Sequence, residues 1–183
     1  MATIPLPLFE WDCYLIDCSS IMAFSGADYA NPNRFITYRQ QIWVHLEQMI
    51  LSDRLRTVAQ VLPELEYNDP ESHRRLYPLR ERFVLPIDKQ ADISVLNLVS
   101  RYPGIIDKGQ IYTREPADPY LIVYAKKLNI PIINEEKPLT ERTGDRKNKR
   151  LMIPDVCERE GMIGQSICLE EFLRNEGIIP KLP

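Results

Sequence analysis

Cys13-Tyr14-Leu15-Ile16-Asp17-Cys18 is a short, nearly all-apolar run that ends in an acid. Such a run suits a strand buried on both faces of a parallel sheet. Working outward, Ile130-Pro131-Ile132-Ile133 and Ser166-Ile167-Cys168 read as two more short strands. Helical patterns separate them. From about Arg34 to Leu51 the residues Phe35, Ile36, Ile42, Trp43, Leu46, Met49 and Ile50 recur at near-helical spacing. Thr57 is placed to cap a helix through Val58, Val61, Leu62 and Leu65, in which Pro63 demands a kink or a start close by. Asp88 to Val99 is amphipathic and stops at Pro103-Gly104. Asp118-Pro119 opens a helix over Tyr120 to Leu128, with Asp at the cap and Pro at the first turn. Glu170 to Glu176 is a last helix, closed by Gly177. Strands alternating with helices predict a parallel α/β sheet, whose ligand site lies beyond the C-terminal ends of the strands.

The chain has 183 residues, which suits one domain. A 44% hydrophobic share with 27% charged residues excludes general disorder. No apolar run approaches the roughly 18–20 residues that span a bilayer, and Met1 to Trp11 lacks the basic start and cleavage site of a signal peptide. Cys13, Cys18, Cys157 and Cys168 form neither a CxxC pair nor a dense framework, so a reducing cytoplasm is expected. A net charge of −3 argues against a bulk electrostatic nucleic-acid binder and leaves room for a local basic patch.

Five acids stand out by position. Asp17 ends the first strand and Glu136 follows the second. Only one of Glu135 and Glu136 need point inward. Asp118 and Asp155 stand at helix starts near the same sheet edge, where ordinary capping also explains them. Asp155 has Glu158 three residues on, the form of a capping box. Glu64 sits among Glu66 and Asp69, and by itself reads as a solvated helix acid. Carboxylates gathered at one edge repel unless a cation neutralises them. Oxygen-only ligands select Mg²⁺ or Mn²⁺ over Zn²⁺. His45 and His73 lack ligand spacing and read as structural or surface residues. Other strand-end chemistries fit poorly. A phosphoaspartyl hydrolase needs an Asp where Ser19 stands, and an adhesion-type metal site needs a Ser where Ile21 stands. No glycine cluster makes a phosphate loop, and no His partners a Ser or Cys nucleophile.

Tyr14-Leu15-Ile16-Asp17-Cys18-Ser19-Ser20 resembles the opening strand of PIN-domain nucleases. Val61-Leu62-Pro63-Glu64-Leu65, Ala117-Asp118-Pro119-Tyr120-Leu121-Ile122 and Ile132-Ile133-Asn134-Glu135-Glu136 resemble their second, third and fourth motifs. Ile153-Pro154-Asp155-Val156-Cys157-Glu158, with the strand and helix after it, resembles the DUF4411 (VapC-like) branch. The resemblance runs from about Tyr14 to Gly177. It implies a three-layer α/β/α fold with a central parallel sheet of about five strands, in a domain over residues 13–183 preceded by an arm over 1–12. It implies an acidic pocket holding Mg²⁺ or Mn²⁺ on Asp17, Glu64, Asp118 and Glu136. Asp155 would stand in the first or second shell, and Ser19 would orient the first Asp or a metal-bound water. The implied activity is cleavage of single-stranded RNA, in many members as the toxin of a toxin–antitoxin pair. An antitoxin and a second copy in a homodimer are the implied protein partners. Cys18, Pro63 and Asn134 depart from the family pattern. They motivate the alternative, a non-catalytic nucleic-acid- or protein-binding scaffold with a degenerate pocket.

Arg142, Arg146, Lys147, Lys149 and Arg150 lie within ten residues and are the expected phosphate contacts. Arg74, Arg75, Arg80 and Arg82 form a second basic stretch. Tyr29, Tyr112, Tyr120 and Tyr124 are placed either to stack bases or to fill the core. Trp43 reads as core, and Cys157 as a small buried residue.

Overall fold

The computed structural model describes residues 11–86, 88–106, 115–142 and 150–180. The opening run forms strand β1 (Tyr14–Ile16), all three residues buried. Asp17 then caps helix α1 (Cys18–Ser25), which ends at Gly26 with φ of 94°, a left-handed conformation suited to glycine. Next come α2 (Arg39–Leu51), β2 (Leu55–Arg56) and α3 (Val61–Asn68). Two short helices follow, α4 (Pro70–Leu76) and α5 (Arg80–Phe83). Then come α6 (Lys89–Arg101), α7 (Asp118–Leu128) and β3 (Ile132–Ile133). The described chain closes with α8 (Ile153–Arg159), β4 (Ser166–Ile167) and α9 (Leu169–Asn175).

The strands form one parallel sheet in the order β2-β1-β3-β4. Leu15 pairs with Arg56 on one side and Ile132 on the other. The chain steps outward from β1 to β2, then returns to build β3 and β4 on the opposite side. The order therefore reverses between β1 and β3, where open α/β sheets form their ligand crevice. Helices flank the sheet in the predicted three-layer arrangement. Leu15, Ile16, Ile132 and Ile133 are fully buried in a core shared with Phe24, Ile42, Leu121 and Phe172. Two edge-on aromatic pairs, Phe24–Trp43 and Tyr14–Phe172, lock α1 to α2 and β1 to α9, with ring centroids 4.7 and 5.0 Å apart.

Four strands stand among the described residues in place of about five. Beyond β2 the position of a further strand is reduced to a single parallel bridge, Thr57 with Val84. Helix α5 runs up to Phe83, and Pro86, which has no N–H to give a ladder, follows three residues later. Thr57 is extended and not a helix cap. Its hydroxyl donates to the Ile16 carbonyl at 2.7 Å, fully buried. Helix α3 begins at Val61, two residues before Pro63, so the start close by is the alternative realised. Pro63 sits in the first turn, where its missing N–H has no intrahelical partner to lose. The helix expected from about Arg34 begins at Arg39. The arm falls on residues 1–10, outside the described residues, apart from Trp11 and Asp12. Among the described residues no helix is long and apolar enough to cross a membrane.

Candidate acidic site at the sheet switch point

Four acids from four elements line one cavity of about 410 Å³ beyond the C-terminal end of β1. Asp17 leaves β1, Glu64 lies in the first turn of α3, Asp118 is the first residue of α7, and Glu136 follows β3. Cys18, Ser19, Met22, Tyr67, Pro116 and Arg150 complete most of the wall.

Each acid is aimed by local chemistry. Asp17 Oδ2 accepts from the Ser19 amide at 3.2 Å and the Ser19 hydroxyl at 2.5 Å. The Ser19 hydroxyl in turn accepts from the Glu135 amide at 3.3 Å, tying α1 to the segment after β3. Asn134 makes the turn there. Its side-chain oxygen accepts from the Glu136 amide at 3.1 Å and its amide donates to the Ser166 hydroxyl at 2.9 Å. The two neighbouring glutamates part company at this turn. Glu135 pairs with Arg34 and accepts from the Leu169 amide at 3.1 Å, so it joins the outer wall. Glu136 turns into the cavity and accepts from the Ile153 amide at 2.7 Å. Glu64 Oε1 accepts from the Ala117 amide at 3.2 Å, fixing α3 against the start of α7. Asp118 was expected as the cap of α7. The cap is Ala117, which leaves the Asp118 carboxylate for the cavity.

Burial raises Asp17, Asp118 and Glu136, and repulsion from neighbouring carboxylates adds to the rise at Asp118 and Glu136. Glu136 is pushed up to about 8 by burial and by the charges of Asp118 and Asp17. Asp118 is pushed up to about 6 by burial and by Asp17. Asp17, 5% exposed, is raised by burial against the opposing bonds from Ser19. Arg150 opposes the rise at all three. Its guanidinium pairs with Asp118, and its Nε donates to the Ile105 carbonyl at 3.1 Å.

Asp155 does not line this cavity. It is the third residue of α8, not its cap. It accepts from the Met152 amide at 2.9 Å and the Leu139 amide at 2.6 Å, and it pairs with Arg142. Arg142 is correspondingly not an outward phosphate clamp. Its side chain is 7% exposed and also donates to the Lys137 carbonyl at 2.7 Å and the Arg150 carbonyl at 2.6 Å. Arg150 turns into the acidic cavity, while Arg146, Lys147 and Lys149 lie outside the described residues. Tyr120 and Tyr124 are buried, with their hydroxyls given to Glu115 and to the Pro86 carbonyl. Tyr112 lies outside the described residues. Cys157 is 1% exposed, and burial pushes its thiol up to about 12. The sequence reading missed Tyr67, 73% exposed on the cavity wall. Its signal was the spacing of three residues from Glu64, which puts both on one helix face.

The donor set is oxygen-only, the chemistry that hard divalent cations take. As the side chains stand, no three His, Cys, Asp or Glu groups among the described residues are arranged to hold a metal ion. The positive charge beside Asp118 belongs to Arg150.

Comparison with known proteins returns one family. A model described as "Domain of unknown function (DUF4411)" matches residues 14–179. No curated protein and no solved structure matches. The match takes in every strand of the sheet and every acid of the cavity, and the chain belongs to the DUF4411 family.

Proposed function

We propose that the protein is a PIN-like, Mg²⁺- or Mn²⁺-dependent endoribonuclease, acting on single-stranded RNA as the toxin of a toxin–antitoxin pair. The observation that carries this reading is the convergence of Asp17, Glu64, Asp118 and Glu136 on one cavity at the sheet switch point. Gathering four carboxylates in one cavity, Asp17 and Asp118 buried and Glu64 and Glu136 half-buried, is costly unless a positive charge joins them. Phosphodiester hydrolysis needs such a charge. When bound, the cation polarises the phosphate and lowers the pKa of a water nucleophile. In this chain Asp17 and Asp118 would hold it, with Glu64 and Glu136 completing the set. Ser19 keeps the Asp17 carboxylate in one orientation. The Asp155–Arg142 pair acts further out, by fixing the backbone at Arg150.

The test is cleavage of an end-labelled single-stranded RNA by purified protein across Mg²⁺ and Mn²⁺ titrations. Wild type is expected to cleave. Asp17→Asn and Asp118→Asn are expected to abolish metal-dependent cleavage with circular dichroism unchanged. RNA left intact by wild type at every metal concentration overturns the reading. A second reading, a non-catalytic RNA- or protein-binding scaffold, is favoured by the Arg150–Asp118 pair and the absence of a ready three-acid group among the described residues. Retained RNA binding without calorimetric Mn²⁺ binding would select it.

A further inference from the structure

We propose that Arg150 is the resident cation of the acidic cavity and that a divalent ion must displace its guanidinium to bind. This rests on the metal-dependent reading above and concerns what governs entry to that site.

Three observations carry it. Arg150 lines the cavity and pairs with Asp118, while its charge reaches Asp17 and Glu136 as well. It is the cation whose position answers the repulsion among these acids. As the side chains stand, the acids that would hold an ion do not form a three-membered group among the described residues, and Arg150 is paired with one of them. Finally, Arg150 is delivered by a built device and not by chance surface contact. Arg142 holds the Arg150 carbonyl at 2.6 Å and is itself locked on Asp155, while the Leu151 amide donates to the Gly104 carbonyl at 2.9 Å. The Arg150 side chain remains 23% exposed, so solvent reaches it where it stands.

A guanidinium paired with Asp118 Oδ2 and a hard cation cannot share that oxygen at contact distance. Apparent metal affinity is then reduced by the fraction of molecules whose carboxylates are free of Arg150. The same competition makes the metal-free fold depend on Arg150 and the loaded fold independent of it, since an uncompensated buried charge is destabilising.

The test is calorimetric titration of Mn²⁺ into the full chain at constant pH, for wild type, Arg150→Gln and Arg150→Lys, alongside melting temperatures in EDTA and in saturating Mn²⁺. Arg150→Gln is expected to bind Mn²⁺ about tenfold or more tightly than wild type. It is also expected to melt lower than wild type in EDTA and level with it in Mn²⁺. Arg150→Lys, which keeps the charge, should fall between. Equal or weaker Mn²⁺ binding by Arg150→Gln, with wild type binding normally, overturns the displacement proposal and leaves the metal reading standing. No Mn²⁺ binding by wild type or by either variant overturns both. Should Arg150→Gln not fold, the Arg150 Nε–H resonance of wild type during a Mg²⁺ titration decides. A shift on loading supports displacement, and an unchanged resonance at saturation overturns it.

Discussion

Ser19 fixes Asp17 through two hydrogen bonds and receives a third from the chain after β3. Removing its hydroxyl should leave the fold and the Ser19 amide bond intact and loosen the carboxylate, which loses its shorter bond. Ser19→Ala is therefore expected to lower Mn²⁺ affinity about 10–100-fold, the usual cost of losing an outer support of a ligand, as read by calorimetry. Thr57 plays a purely structural part. Its hydroxyl satisfies the last carbonyl of β1 inside the core. Thr57→Val should cost about 1–3 kcal/mol of stability in urea unfolding, with the denaturant slope unchanged. The roles of these two residues differed in legibility. Ser19 stood two places after an acid that ended a strand, so its direction could be read. Thr57 looked like a helix cap because cap chemistry and buried strand-edge chemistry use the same hydroxyl.

At the scale of elements, Asp155 ties together the turn after β3, the start of α8 and, through Arg142, the chain at Arg150. Both partners of the ion pair are almost wholly buried, 7% and 5% exposed. Asp155→Ala strands the Arg142 charge, and a loss of about 3–5 kcal/mol is expected in chemical unfolding. Asp155→Asn keeps an oxygen for the amides and should lose less. The helices α6, α7 and α9 were legible from caps and spacing, within a few residues. Strand β2 was not, because two residues carry no period, and α4 and α5 were not, because seven and four residues hold barely a turn or two of pattern. Helix α1 escaped because it begins one residue after the strand acid, with no intervening loop to mark it.

Across the whole molecule the acidic cavity sets a pH dependence. Glu136 ionises near 8 in the folded chain against an ordinary 4.5. The folded state thus holds more protons than the unfolded chain between those values, so stability falls as pH rises through that window. Melting temperature in EDTA is expected to be higher at pH 5 than at pH 8, with Glu136→Gln flattening the difference. A divalent ion should raise the melting point more at pH 8 than at pH 5. The convergence of the acids was legible because parallel sheets gather strand ends at one edge. The position of Arg150 was not. A guanidinium reaching the cavity from a loop leaves no periodic trace, and its neighbours in sequence suggested an outward-facing basic patch.

The register of β1 has a consequence for synthesis. Leu15 pairs with Ile132, so the inner neighbour of β1 is made long after β1 itself. A nascent chain on the ribosome carries Asp17, Glu64 and even Asp118 before it owns the segment that brings Glu136 to them. The four acids can meet only after β3 and the segment behind it have been made, so the cavity cannot assemble before the fold around β3 does.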